Sequence, residues 1–272
     1  MTTREITQMN ESIEAEGWAS MFHHTDEHFA AQFGMDVRRW GDGVTGLKCA
    51  GIDVTLFNRV MGIGVETPLT ESVLDEIISD YAAAGVKRYA LEICPDAQPA
   101  QLFGWLAARG FTPRSDVAKC YRDAAPCDPI PTELRIEKIS VDQRAAYART
   151  LCAGFELPDV LTPLAGGVVG QPGWHNYLAY DGDQPVAIGA LMVQGEIGWI
   201  GGGATLPEFR RRGGQGALMA RRIQDGIALG CKWFVTETGA DTPEHPNPSY
   251  HNMLRTGFQL AYLRTDYLSP KL

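Results

Sequence analysis

The sequence has no apolar run long enough to cross a bilayer; a stretch such as Ala187–Val193, interrupted by one glycine, is far too short. It has no CxxC pair and no metal-like cysteine spacing. Its six cysteines, at 49, 94, 120, 127, 152 and 231, read as reduced thiols of a cytosolic protein. Positive charge is in deficit, and a net charge of −9 argues against nucleic acid as the main partner. The opening residues, MTTREITQMNESIEAEG, are polar and acidic, unlike a secretory signal or a mitochondrial presequence. A cytoplasmic protein without a membrane partner is therefore expected. His23, His24 and His28, with Asp26 and Glu27 between, form the one metal-like cluster; lacking a third spaced ligand, they read as a polar helix edge, and no metal is expected. What is present is an ordinary globular balance over 272 residues, with 44% hydrophobic and 21% charged residues. That allows one large domain or two of middling size.

The chain divides at Ala124–Thr132, where three prolines within six residues exclude regular structure. Residues 1–128 hold 11 Lys+Arg and 19 Asp+Glu, whereas residues 129–272 hold 13 and 14. Positive charge to spend locally therefore lies in the second half. The halves also echo each other. AAAGVKRYALEI, a loop and WLAARGF in the first are answered by IALGCKWFVTET, a loop and NMLRTGF in the second. Gly85 and Gly110 stand 25 apart, Gly230 and Gly257 27 apart. Each unit reads as helix, glycine cap, buried strand, loop, short helix, glycine cap, strand, so a duplicated fold is expected.

Hydrophobic periodicity and turn signals place the elements coarsely. In the second half, strands are expected near 134–140, 175–181, 185–194, 197–205 and 232–238, helices near 142–154, 214–229 and 247–256, and a strand pair within 258–269. Residues 156–173 read as a Pro/Gly-rich connection. In the first half, strands are expected near 35–40, 44–49, 54–63, 87–94 and 115–122, with helices near 70–84 and 99–109; the stripe Leu74, Ile77, Ile78, Tyr81 is core. The fold class is α/β with a mixed sheet, antiparallel meanders feeding a strand–helix–strand crossover.

The stretch TLPEFRRRGGQGALMARR, residues 205–222, carries the chemistry. Glycines at 213, 214 and 216 let successive N–H groups turn toward an anion, and the following helix adds its free N–H groups and dipole. Arg210, Arg211 and Arg212 can neutralise charge there, which fits a pyrophosphate. No GxxxxGK[ST] loop and no GxGxxG fingerprint occurs at this turn. The setting resembles the GNAT superfamily of acetyl-CoA-dependent N-acetyltransferases. In that family Pro-x-x-Arg-x-x-Gly-x-Gly/Ala follows a strand, opens a helix and holds coenzyme A. Pro207, Arg210 and Gly213 match, with Gln215 where the second glycine often sits; Arg211, Gly214 and Gly216 match one residue along. The resemblance covers residues 129–272 and extends more weakly over 1–128. It implies two tandem GNAT-like domains, 1–128 degenerate and 129–272 binding acetyl-CoA. At the position of the loop the first half has Glu66–Ser72, with no arginine or glycine turn, so one cofactor per chain is expected. A fragment 129–272 is expected to keep the site.

The resemblance also implies site residues. Ile200–Ala204, a glycine run inside a strand, suggests the bulge whose N–H meets the thioester carbonyl. Gly203, Ala204 and Thr205 on the strand join Arg210–Ala217 (Arg210, Arg211, Arg212, Gly213, Gly214, Gln215, Gly216, Ala217) as cofactor contacts, with Asn247, Ser249, Asn252 and Met253 on the later helix. Glu237 and Glu196 are candidate bases; Glu237 is preferred, because its apolar run would raise its pKa. The family's acid, often a tyrosine four residues before the Gly-Phe cap, is Met253 here, which leaves Tyr250, His251 or solvent. The implied reaction is acetyl transfer from acetyl-CoA to the amine of a small molecule, oligomerisation remaining possible. The alternatives are a CoA-binding sensor without turnover and a protein N-acetyltransferase.

Overall fold

The computed structural model describes residues 1–271. Its first element is a helix absent from the sequence reading, α1 (Thr3–His23). Thr2 and Glu5 close a capping box at its start. The face it buries includes Thr7, Asn10, Glu11 and Glu14, so polar residues occupy positions where periodicity would demand apolar ones. A short helix α2 (Glu27–Phe33), capped by Asp26, leads into the strands β1 (Met35–Trp40), β2 (Val44–Cys49) and β3 (Arg59–Met61). Then come α3 (Glu71–Ala83), β4 (Ala90–Ile93), α4 (Leu102–Ala108) and β5 (Thr112–Asp123). The second half supplies β6 (Arg135–Lys138), α5 (Arg144–Gly154), α6 (Thr162–Gly166), β7 (Trp174–Asp181), β8 (Gln184–Gln194) and β9 (Ile197–Thr205). It ends with α7 (Gly214–Ala228), β10 (Trp233–Gly239), α8 (Pro248–Arg255) and β11 (Gln259–Leu268). The expected final strand pair is one long strand with register shifts. The expected connection 156–173 contains α6 and a single 3₁₀ turn, Asp159–Leu161.

The repeat holds at the level of hydrogen bonds. Gly85, Gly110, Gly230 and Gly257 all have φ between +71° and +94°. After each, the next N–H reaches back to the last helical turn: Val86 to Tyr81, Phe111 to Leu106, Cys231 to Gly226 and Phe258 to Met253, at 2.9–3.1 Å. These are the same left-handed helix stops four times over.

One sheet of 11 strands contains both halves, in the order β1-β2-β3-β4-β11-β5-β10-β9-β8-β7-β6. The parallel pairs β3/β4 and β9/β10 occupy equivalent places in the two copies. The last strand of each copy, however, lies in the other: β11 pairs with β4, β5 pairs with β10, and the two exchanged strands pair with each other. The seam at 124–132 is irregular, as expected, but the sheet runs across it. The seam also supports the glycine loop: Thr132 Oγ1 donates to the Arg212 carbonyl at 2.8 Å, and Ile130 lies under Gly216.

Helix α1 lies where the exchanged strands meet. Glu14 accepts hydrogen bonds from Lys119 on β5 (2.5 Å) and Arg264 on β11 (2.5 Å), and Glu11 accepts from Arg264 at 3.1 Å. Arg59 on β3 donates to Glu92 on β4 at 2.7 Å. Burial opposes the charge of Glu14, yet Arg264, Lys119 and Arg59 hold its carboxyl well below the usual carboxylate range. Burial pushes Glu92 the other way, up to about 7, against the pull of Arg264 and Arg59. In the unfolded chain Glu92 ionises near 4.5, so across the window from 4.5 to about 7 the folded state holds a proton that the unfolded state has released. Stability must then fall as pH rises through that window. Glu92→Gln is expected to flatten the fall of melting temperature between about pH 4.5 and about pH 7. The same slope in variant and parent would refute the assignment.

Candidate active site

The strand β9 bends where its glycines lie. Ile188 pairs with Ala204 but Ala190 pairs with Gly201, so β9 carries one extra residue there, and Gly202 has φ +57°. This is the bulge that the glycine run implies. A side chain at Gly203 would collide with the Gln215 amide, which reaches back from α7. Gln215 Nε2 donates to the Ala204 carbonyl (2.7 Å), to Thr205 Oγ1 (2.9 Å) and to the Ile188 carbonyl (3.2 Å). The side chain at the expected second-glycine position is thus a brace that ties the helix start to the bulged strand.

Helix α7 begins behind Gly213, whose φ of +78° and absent side chain leave the first turn without a side-chain cap. The free N–H groups and the positive end of the dipole therefore open toward the cavity. The glycines answer to packing as well as to approach by an anion. A Cβ at Gly213 would lie 2.6 Å from the Pro131 carbonyl oxygen, and one at Gly214 2.9 Å from Leu134. Arg210 and Arg211 line the cavity and are exposed; Arg211 itself has φ +63°. Arg212 does not point there. It forms a two-pronged pair with Asp181 (2.8 and 3.0 Å) and lies over Phe209, so it is removed from the phosphate-binding set. Ala217 is buried and does not line the cavity, so it is also removed.

A cavity of about 1560 Å³ extends from this loop to the junction of the two halves. Glu237 lines it, near the end of β10. Glu237 Oε2 accepts from Trp199 Nε1 at 2.9 Å and lies 3.5 Å from Lys119 Nζ, its register partner on β5. Burial and the neighbouring Glu14 raise its pKa; Lys119, Trp199 and Arg264 oppose the rise. A carboxylate so placed is tuned toward proton acceptance. Glu196 is not. It sits in the turn before β9, 61% exposed and paired with Lys232 at 2.6 Å, outside the cavity. Its candidacy fails on position.

Helix α8 divides the remaining candidates. Ser249, Asn252 and Met253 line the cavity, as does His251, whose Nε2 lies 3.3 Å from Asp241. Asn247 instead caps α8: its Oδ1 accepts from the Ser249 N–H at 2.9 Å and its Nδ2 donates to the Gly239 carbonyl at 2.7 Å. Tyr250 packs against the second-half core and does not line the cavity, so its phenol is not presented to a substrate. Tyr250 lies on α8 as its spacing implies, but on the side that faces the core. Tyr147 on α5 is the tyrosine that lines the cavity, and nothing in its sequence surroundings marks it. Among the described residues no cluster of His, Cys, Asp and Glu could hold a metal ion, and no helix is long and apolar enough to cross a membrane.

The equivalent place in the first half is built differently. Thr70 caps α3 with its own hydroxyl, Glu71 occupies the first turn, and the chain before it is tied down by Leu69 and Gln98 backbone bonds.

A scan against protein-family models finds none that matches the chain, and a search of curated proteins finds no match. Solved structures do match. A GCN5-related N-acetyltransferase from Kribbella flavida superposes with a TM-score of 0.66 at 17% identity, over 96% of each chain. The fold is that of the GNAT superfamily. Its tandem form is matched by a tandem GNAT protein from the clavulanic acid biosynthesis pathway, with TM-score 0.61, 13% identity, and 85% of this chain and 81% of that one covered. A putative GNAT-family acetyltransferase from Novosphingobium aromaticivorans matches at TM-score 0.56 and 16% identity, over 92% of this chain and 99% of its own. At such identities the likeness carries the fold; the function rests on the site.

Proposed function

We infer that the protein transfers an acetyl group from acetyl-CoA to the amine of a small molecule, using a site built mainly from the second half. The observation that carries this reading is the juxtaposition of an uncapped, arginine-flanked helix start and a half-buried carboxylate, Glu237, along one cavity. The residues fit the cofactor: Arg210, Arg211 and the N–H groups at 214–216 would hold its pyrophosphate, and the bulge at 201–203 exposes backbone to its acyl end. Bound acetyl-CoA supplies an activated thioester. Glu237 would take one proton from the ammonium, directly or through a water, and so free the nitrogen lone pair; the nitrogen would then bond to the acetyl carbon, the carbon–sulfur bond would break, and the second N–H proton would leave to solvent. The departing thiolate needs a proton. Met253 has none to give, and His251 is the cavity-lining side chain of α8 best suited to deliver one.

Calorimetric titration with acetyl-CoA tests the binding half of this reading. One equivalent per chain is expected, because Thr70 already occupies the first-half helix start. Arg210→Ala combined with Arg211→Gly is expected to weaken binding about a hundredfold, at roughly tenfold for each lost charge–phosphate contact. The glycine also suits the backbone at Arg211, so the fold is not endangered. Gly213→Ala would be a poor probe, since the new methyl would strike Pro131. Two equivalents, or unchanged affinity in the variant, would refute the loop assignment.

A further inference from the structure

The cavity continues past Glu237 into a region that acetyl-CoA binding at the loop does not explain, walled largely by the first half and by α5–α6. Two properties of that region define an occupant. The first is charge. Around the junction, above about pH 7 where Glu92 is ionised, five carboxylates (Glu11, Glu14, Glu92, Glu237, Asp266) share three cations (Arg59, Lys119, Arg264). Glu14 and Glu92 take the close contacts, Glu14 with Lys119 and Arg264, Glu92 with Arg59 and Arg264. Glu237 is left with Lys119 at 3.5 Å, and Asp266 Oδ1 is buried with no hydrogen-bond partner. Both line the cavity. Burial raises the pKa of each, as expected where negative charge outruns its compensation.

The second property is an apolar wall beside that acidic floor. Glu14, Trp18 and Met21 lie four and three residues apart on α1 and so share the helix face that lines the cavity. Leu161 and Leu164 line it from the opposite segment. At the cavity's edge Leu56 and Phe155, one from each half, are 39% and 48% exposed. Exposed apolar side chains that border a cavity suit a ligand with apolar surface to bury.

We propose that the acceptor is an amphiphilic amine: a single cationic head seated at Glu237, on an aliphatic or aromatic body lying against Trp18, Met21, Leu161 and Leu164. Helix α1 of the first half and the 155–164 segment of the second are then together the specificity element of the enzyme. Polyamines and amino acids are excluded for complementary reasons, the former by the apolar wall and the latter by the surplus of carboxylates facing their own carboxylate. This proposal rests on the acetyl-transfer reading, and its test separates the two. Thiol release from acetyl-CoA is measured with ethylamine, butylamine, hexylamine and octylamine, and with spermidine and lysine as polar comparators. We expect kcat/KM to rise roughly three- to fourfold per added methylene, the gain from burying one such group. Leu56→Ser combined with Phe155→Ser alters two exposed side chains and is expected to lower the octylamine-to-ethylamine ratio at least about tenfold. A flat series, a preference for spermidine or lysine, or an unchanged ratio in the double variant overturns the proposal. Calorimetry with octylamine and the full chain distinguishes the failures. Octylamine binding without turnover of any amine supports the subsite and sinks the transfer reading, whereas turnover of small amines without octylamine binding sinks the subsite alone.

Discussion

Replacing Glu237 by Gln is expected to lower turnover about a hundredfold or more while leaving acetyl-CoA affinity unchanged, the range typical of a lost general base. The glutamine keeps the size of the side chain and an oxygen for Trp199 Nε1, so the hydrogen bond at 2.9 Å survives while proton acceptance does not. The loss should be greatest above the acid limb of the parent and below the pKa of the amine, where Glu237 is ionised and the amine is still charged. The pH profile of the parent carries a second signature. Raised by burial and by Glu14, the Glu237 carboxyl should set an acid limb above the ordinary glutamate range, with activity rising as pH rises through it. The groups that face it are Glu14 from α1, Lys119 from β5, Arg264 from β11 and Trp199 from β9. Lys119→Met removes a cation that favours the ionised form, so the limb should move to still higher pH. A loss of kcat without any movement of the limb would reduce Lys119 to a structural part. Its removal also leaves Glu14 with Arg264 as its close partner, and breaking one partner from such a buried set costs on the order of 3 kcal/mol. Thermal melts recorded with the kinetics separate the two effects. Parental turnover in Glu237→Gln would leave the base unassigned and point to solvent.

How legible this was in the sequence depends on which physical signal each element carried. The strands β7, β8 and β9 and helix α7 announce themselves by apolar patterning and by turn chemistry, and the glycine run at 201–203 announces the bulge. Helix α1 carries the opposite signal. Its buried face holds Glu11 and Glu14, residues that belong inside only because Arg264 and Lys119 meet them there, more than 100 positions away along the chain. No local pattern contains that information. The same holds for Arg212, withdrawn from the loop by Asp181 across the sheet, and for Tyr250, whose helical spacing was right but whose face is fixed by packing against Cys120 and its neighbours. Glu196 and Glu237 are both strand-end carboxylates in sequence; the apolar run around Glu237 favours it, and the structure places the two at opposite ends of the sheet. The duplication was readable because four glycine stops repeat at near-equal intervals, but the exchange of β5 and β11 between copies was not, since a strand's pattern reports its faces and not its neighbours.

That exchange alters what a fragment can do. Residues 129–272 expressed alone are expected to lack a cooperative thermal transition and to bind no acetyl-CoA, although they contain the whole glycine loop. Strand β11 pairs only with β4 and β5, so the fragment removes every ladder partner it has. β10 loses β5 on one side, which exposes an apolar edge through Phe234 and Val235. Arg264, 1% exposed in the full chain, loses Glu11, Glu14 and Glu92 together. The elements that bury it leave with those partners, so the fragment loses the ion pairs and returns the face of β11 to water. The seam adds to the loss from the other direction: a cut at 128 frees the 129–134 segment on which Gly213, Gly214 and Gly216 pack. Co-expression with residues 1–128 should reverse the effect, because the missing strands and α1 can be supplied by a separate chain that pairs into the same sheet. Circular dichroism with heating, and size-exclusion chromatography of the co-expressed pair, measure this directly. A monomeric 129–272 that melts cooperatively and binds acetyl-CoA would show that the second copy folds with its own last strand. The exchange seen in the intact chain would then be a docking arrangement and not a condition of folding.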